Sequence, residues 1–194
     1  MKHVDFEFKA RLRNEKLIRA ALKKLRARFV GTDHQVDTYF HVPRGRLKVR
    51  EGNIENALIF YERPNTQGAR AAKIQILELP PENPVKSILS EALGVLAVVD
   101  KRREIYFVDN VKIHLDRVRN VGKFVEVEAI SRAANLDKVQ AQAREFERLF
   151  GIAPQDFVGE SYSDLILKKR KPAPKSRRSR PAGQALSLQN SLPT

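Results

Sequence analysis

The sequence contains no cysteine, which excludes disulfides and thiolate metal sites and suits a reducing compartment. Long apolar runs are absent too. The longest, Ala92 to Val99, is far shorter than the roughly 20 residues of a membrane-spanning helix. The opening residues MKHVDFEFK carry charge where a secretory signal would be apolar. These absences predict a soluble, cytoplasmic protein with no membrane contact. Acidic side chains are missing from one stretch altogether: residues 168 to 194 hold Lys168, Lys169, Arg170, Lys171, Lys175, Arg177, Arg178 and Arg180 and no carboxylate side chain.

That stretch supplies eight units of the formal net charge of +14, and the first 167 residues carry 29 basic against 23 acidic groups. The globular part is therefore dense in both signs and only mildly basic. Such a balance suits a polyanion smaller than a nucleic acid, with Lys and Arg meeting phosphate while carboxylates hold cations. A chain of 194 residues is one domain by length, able to bury roughly 70% of its unfolded surface. We divide it at 167, with a tail from 168 rich in Pro, Ser and positive charge and predicted to be disordered. The KKRK and RRSR blocks of the tail offer a nuclear import signal, a nucleic-acid-binding arm or a solubilising extension.

Residues 3 to 13 alternate strictly, Val4, Phe6, Phe8, Ala10 and Leu12 against Asp5, Glu7, Lys9, Arg11 and Arg13, which predicts a strand with one oily and one charged face. Asn14 then caps a helix whose Leu17, Ile18, Ala21, Leu22 and Leu25 recur at helical spacing, ending before Gly31. Short alternating segments follow at 36–40, 46–51, 57–63 and 72–79, punctuated by Pro and Gly. A short helix at 85–93 precedes strands at 96–107, 111–118 and 123–130, and an amphipathic helix over 136–150 is closed by Gly151. The count is about eight strands and three helices, joined largely as antiparallel hairpins.

Ions recur at alternate positions on strand after strand: Asp5, Glu7 and Lys9; Lys48 and Arg50; Tyr61 and Arg63; Lys101 and Arg103; His114 and Asp116; Glu126 and Glu128. One such strand is ordinarily the solvated face of an antiparallel sheet. Six sets of Arg, Lys, Asp and Glu, with little Ser, Thr or Asn among them, point instead to a barrel with the charged face inside. Dry burial would cost several kcal/mol per ion, so the interior must be wet, metal-loaded or filled by a charged ligand. A polyphosphate fits: Arg and Lys grip phosphoryl oxygens, and carboxylates such as Glu126 and Glu128 bring in Mg2+ or Mn2+. Alternate strand residues stand about 6.6 Å apart, so a metal shell also needs a residue from another strand, with Glu7 or Asp116 as the partner.

Asp5-Phe6-Glu7-Phe8-Lys9 resembles the E-x-E-x-K signature of the CYTH, or triphosphate tunnel metalloenzyme, family, with aspartate for the first glutamate. Its company strengthens the resemblance: QVDTYF at 35–40, GRLKVRE at 45–51, LIFYERP at 58–64, VDKRREIY at 99–106, IHLDRV at 113–118, GKFVEVE at 122–128 and SYSDLIL at 161–167. The resemblance implies an α+β protein built on an eight-stranded antiparallel β-barrel with flanking helices. By position it implies triphosphate binding by Lys9, Lys48, Arg50, Arg63, Lys101 and Arg103, with Lys73 and Lys123 as further tunnel residues. Metal falls to Glu7, Asp116, Glu126 and Glu128, and catalysis to Asp5, Glu7 and Lys9. Arg117 should face outward, and His114 is expected to be packed or hydrogen-bonded rather than catalytic.

Such tunnels either cyclise ATP to cyclic AMP or hydrolyse triphosphates such as tripolyphosphate, thiamine triphosphate or an RNA end. The HLDRV, GKFVEVE, LIFYERP and VDKRREIY segments are most similar to the class IV adenylyl cyclase branch, which makes ATP the expected substrate and triphosphate hydrolysis the alternative. A non-catalytic phosphate or RNA-end reader is the alternative of another class.

Overall fold

Ten residues of alternating character open the fold as strand β1 (Lys2–Arg11) in a computed structural model that describes residues 2–131 and 136–170. Helix α1 (Glu15–Lys24) follows, and the Asn14 side chain accepts a hydrogen bond from the Leu17 amide at 3.0 Å. Strands β2 (Arg28–Phe40), β3 (Arg46–Gly52), β4 (Ala57–Glu62) and β5 (Arg70–Glu78) lead to helix α2 (Val85–Leu93). Strands β6 (Val95–Val108), β7 (Val111–Val118) and β8 (Gly122–Ser131) precede helix α3 (Leu136–Leu149) and a last helix, α4 (Tyr162–Arg170).

All eight strands pair antiparallel in one closed barrel of order β1-β5-β4-β3-β2-β6-β7-β8. Closure leaves no sheet edge and gives every strand an inner and an outer face. Asp5, Glu7 and Lys9 of β1 fall on the inner face and Phe8 and Ala10 on the outer one. Outside β1, β7 and β8, Phe8, Ile113, Val125 and Val127 pack against Ile18 and Leu22 of α1 and Val139, Ala143, Phe146 and Phe150 of α3. The main oily core therefore lies between the barrel wall and its helices. Charge occupies the interior.

Two expectations change. Strand β2 begins at Arg28 rather than Val36 and pairs with β6 over nearly its whole length; residues 28–35 lack a clean apolar alternation, and the long partner strand supplies the order. The first helix correspondingly stops at Lys24. A fourth helix also appears. In α4 the apolar residues Leu165, Ile166 and Leu167 are consecutive, so no helical stripe shows, but Ser161 and Asp164 cap it reciprocally: the Asp164 amide donates to Ser161 Oγ at 3.1 Å and the Ser161 amide to Asp164 Oδ2 at 3.0 Å. The helix runs through Lys168, Lys169 and Arg170, past the division placed at 167. The rest of the basic tail lies outside the described residues.

The segment 159–170 closes one end of the barrel. Arg63 donates to the Gly159 carbonyl at 2.9 Å, Lys9 to the Glu160 carbonyl at 3.2 Å and Lys169 to the Asn120 carbonyl at 2.6 Å, while Arg46 pairs with Asp164 at 2.9 Å. Tyr162 enters the barrel and packs on Phe124, ring centroids 5.0 Å apart. Among the described residues no helix is long and apolar enough to cross a membrane. Because Phe146 is buried between α3 and the barrel wall, Phe146→Ala is expected to cost about 3–5 kcal/mol of stability, read as a lower urea midpoint at unchanged slope.

Candidate active site

The barrel encloses a cavity of about 750 Å³ lined by Asp5, Glu7, Lys9, Asp37, Lys48, Arg50, Arg63, Arg103, Lys112, Glu126 and Glu128, with Tyr162 at its closed end. Strand alternation puts them there: β3 contributes Lys48 and Arg50, β8 contributes Glu126 and Glu128, and the residues between them face out. Three ion clusters organise the interior.

Asp37 of β2 centres the first. Its carboxylate accepts from Lys48 at 2.8 Å, Lys101 at 2.7 Å and Arg50 at 2.8 and 3.0 Å. Burial opposes ionisation of Asp37, but Arg50, Lys101 and Lys48 outweigh it and hold the carboxyl well below its usual range. Burial, together with the repulsion of Arg50, Arg103 and Lys48, pulls Lys101 down to about 7 despite its contact with Asp37. The second cluster joins Glu7 to Arg63 at 3.1 Å and to Arg70 at 3.3 Å. In the third, Glu126 pairs with Lys9 at 2.8 Å and with Arg103, whose guanidinium also grips both oxygens of Asp116 at 2.6 and 2.7 Å. The Tyr162 hydroxyl donates to the same Asp116 at 2.7 Å.

The acids Asp5, Glu7, Asp116, Glu126 and Glu128 come from the adjacent strands β1, β7 and β8, and Lys48, Arg50, Lys101 and Arg103 from β3 and β6. Glu55, in the β3–β4 loop, reaches the open mouth, where it meets Arg50 at 2.9 Å and Lys112. Buried Asp33 shapes that loop by accepting from the Ile54 and Glu55 amides. A Cβ on Gly52 would come within 2.7 Å of the Asp33 carboxylate. Ala57, Ile59, Ile74 and Ile76 give the cavity one apolar wall.

Of the residues singled out in the sequence, Lys73, Lys101, Asp116 and Lys123 are not among those lining the cavity; Lys101 and Asp116 are buried in their ion pairs with Asp37 and Arg103. Lys73 lies exposed between Ala72 and Ile74, and Lys123 is half exposed and pairs with Glu15 at 3.2 Å. Lys73 and Lys123 both hold the strand position opposite in sense to their inward neighbours. Asp116 is inside, with both oxygens committed to Arg103 and Tyr162 rather than shared with Glu128. Arg117 faces out. His114 is fully buried and packed but makes no hydrogen bond through either ring nitrogen. Its Nδ1 stands 3.6 Å from Glu128 and 3.8 Å from Glu126, and burial with the Arg103 charge lowers its pKa to about 3.

Donor atoms of His114, Glu126 and Glu128 lie within 4.8 Å of one another. Two carboxylates and an unpartnered imidazole fit a divalent ion. Burial raises Glu128 to about 7, with Glu126 and Asp5 adding to the effect against Lys112 and Arg103. Asp37, Glu55, Arg70, Lys112 and Tyr162 escaped the sequence reading. Lys112 shares the period of His114 and Asp116, and Asp37 that of Tyr39, so both were detectable; the loop and helix residues had no periodic signal.

The barrel thus gathers carboxylates and Lys and Arg side chains around one cavity. Residues 4–162 match the CYTH domain, and the chain belongs to the CYTH family. It is 25% identical over 175 residues to a Methanocaldococcus jannaschii protein named as a candidate adenylate cyclase, covering 84% of this chain and 98% of that one. A Pyrococcus horikoshii protein of known structure superposes with a TM-score of 0.68 at 27% identity, covering 83% of this chain and 98% of that one. A Hippeastrum protein, titled a candidate adenylyl cyclase with a dominant triphosphatase activity, shares the fold with a TM-score of 0.54 at 15% identity over 88% of this chain and 98% of its own.

Two outcomes are expected without any ligand. Asp37→Asn leaves Lys48, Arg50 and Lys101 without their shared counter-ion and should cost about 3–5 kcal/mol in urea unfolding. Glu128 titrates higher folded than unfolded, so its stabilising protonation is fully present below about 4.5 and is lost as pH rises through about 7. Glu128→Gln should abolish that loss, leaving the variant more stable than the parent by up to about 3 kcal/mol at pH 8 in metal-free buffer. Parallel stability curves for the two proteins between pH 4.5 and 8 would refute the shift.

Proposed function

We propose that the tunnel binds the triphosphate of ATP and converts ATP to cyclic AMP and pyrophosphate with a divalent ion. The observation that carries this reading is the convergence of basic and acidic walls in one barrel closed at one end. The apolar wall of Ala57, Ile59, Ile74 and Ile76 beside Lys48 and Arg50 favours an organic triphosphate over an inorganic one. Kinship with the M. jannaschii protein supports the cyclase assignment.

Lys48, Arg50, Lys101, Arg63 and Arg103 bind the phosphates, trading carboxylate partners for phosphoryl oxygens as the ligand enters. Lys48, Arg50, Arg63 and Arg103 line the cavity, each held there by a carboxylate that the phosphate would replace. The ribose 3′-oxygen attacks the α-phosphorus, the bond to the bridging oxygen breaks, and pyrophosphate leaves. In this reading Asp5 or Glu7, on the inner face of β1, takes the hydroxyl proton, and the Lys9 ammonium meets the developing negative charge. Glu126 and Glu128, with Glu7 paired to Glu128 across the strands, would hold Mg2+ or Mn2+, which when bound would neutralise the phosphates and polarise the phosphoryl oxygens.

Incubation with ATP, tripolyphosphate and thiamine triphosphate, with Mg2+ or Mn2+ and chromatography of products, tests this. Cyclic AMP and pyrophosphate from ATP are expected. Release of orthophosphate would make the chain a triphosphatase, the dominant activity named for the Hippeastrum protein; binding without turnover would make it a reader of phosphate ends. Glu126→Gln should lower kcat at least about 100-fold, and Arg50→Ala should raise KM about tenfold with a smaller change in kcat.

A further inference from the structure

His114 is fully buried on the inner face of β7, and neither of its ring nitrogens has a hydrogen-bond partner. Buried imidazoles ordinarily satisfy both nitrogens, and leaving one bare costs about 1–3 kcal/mol. The ring does not sit among apolar side chains alone: Nδ1 faces the Glu128 and Glu126 carboxylates at 3.6 and 3.8 Å. Ligands held about 2.1 Å from a common ion stand ~3–4 Å apart, so these separations are those of donors around one cation. Among the described residues Glu128 makes no ion pair with Lys or Arg, which leaves its carboxylate free to join.

We propose that His114 is itself a ligand of the divalent ion held by Glu126 and Glu128, making this a mixed nitrogen–oxygen site selective for a first-row transition ion such as Mn2+ over Mg2+. The inference rests on the metal role in the proposed function and adds the ligand that sets the ion. Mg2+ takes oxygen donors and keeps its waters, whereas imidazole suits the transition ions, so a nitrogen donor discriminates between them. Arg103 and Lys9 now neutralise Glu126; an ion bridging Glu126, Glu128 and His114 would free both cations for phosphate.

The test is Mn2+ binding to the metal-free protein, followed by electron paramagnetic resonance at substoichiometric metal. Nitrogen modulation from a bound imidazole is expected in the wild type and should vanish in His114→Leu. In that variant Mn2+ affinity should fall at least about tenfold, with Mg2+ affinity, measured by competition, falling less than about threefold. The protein has 4 histidines, so H3A/H34A/H41A leaves His114 as the sole imidazole and assigns the signal even if His114→Leu does not fold. Absence of nitrogen coupling in that triple variant, or no Mn2+ binding, overturns the proposal. Calorimetry with tripolyphosphate on the metal-free protein separates the two readings: phosphate binding without imidazole coupling removes His114 alone, whereas no phosphate binding removes the tunnel assignment.

Discussion

The Lys and Arg side chains inside this barrel find their counter-ions inside it, and much of the structure follows from that constraint. Asp37 shows how it is met, with one carboxylate shared by three cations from two other strands. At interior dielectric such a cluster is stable only with near-ideal geometry and with each remaining donor and acceptor occupied. Strand closure supplies the geometry, since it fixes the spacing and direction of every inward side chain at once. The price is that the interior cannot serve as the oily core.

The oily core accordingly moves outside. The outer faces of β1, β7 and β8 carry Phe8, Ile113, Val125 and Val127, and helices α1 and α3 exist to cover them. Apolar burial on one side of the wall stabilises the strands that hold the charges on the other. A strand such as β8 thus carries two jobs on alternate residues: Val125 and Val127 fasten the helices, Glu126 and Glu128 furnish the cavity. This separation lets the interior remain electrostatically demanding without the fold depending on it alone.

The same clusters ready the cavity for an anion. Each interior cation points inward because a carboxylate holds it there, so an incoming polyphosphate meets donors already oriented and has only to displace the acids. In the proposed reading, the displaced acids become available to cations. His114 makes no hydrogen bond through either ring nitrogen, although Nδ1 faces the Glu128 and Glu126 carboxylates at 3.6 and 3.8 Å.

Period-two alternation in the sequence determined which residues share the inner face: Lys48 with Arg50, Lys101 with Arg103, Glu126 with Glu128. The number of such strands was enough to imply closure, because only a common enclosed ligand rationalises ions on so many of them. Alternation is a local property, however, and says nothing about which strands are neighbours. Tertiary structure alone decided that Asp37 serves three cations, that Asp116 belongs to Arg103 and Tyr162, that Glu55 reaches the cavity and that Arg70 pairs with Glu7. Alternation also accounts for Lys73 and Lys123, which stand out of phase with the inward residues of their own strands and face out. The sequence by itself set the chemistry of the inner wall; strand register and the order of strands around the barrel set the partners, because a contact across a barrel depends on closure rather than on distance along the chain.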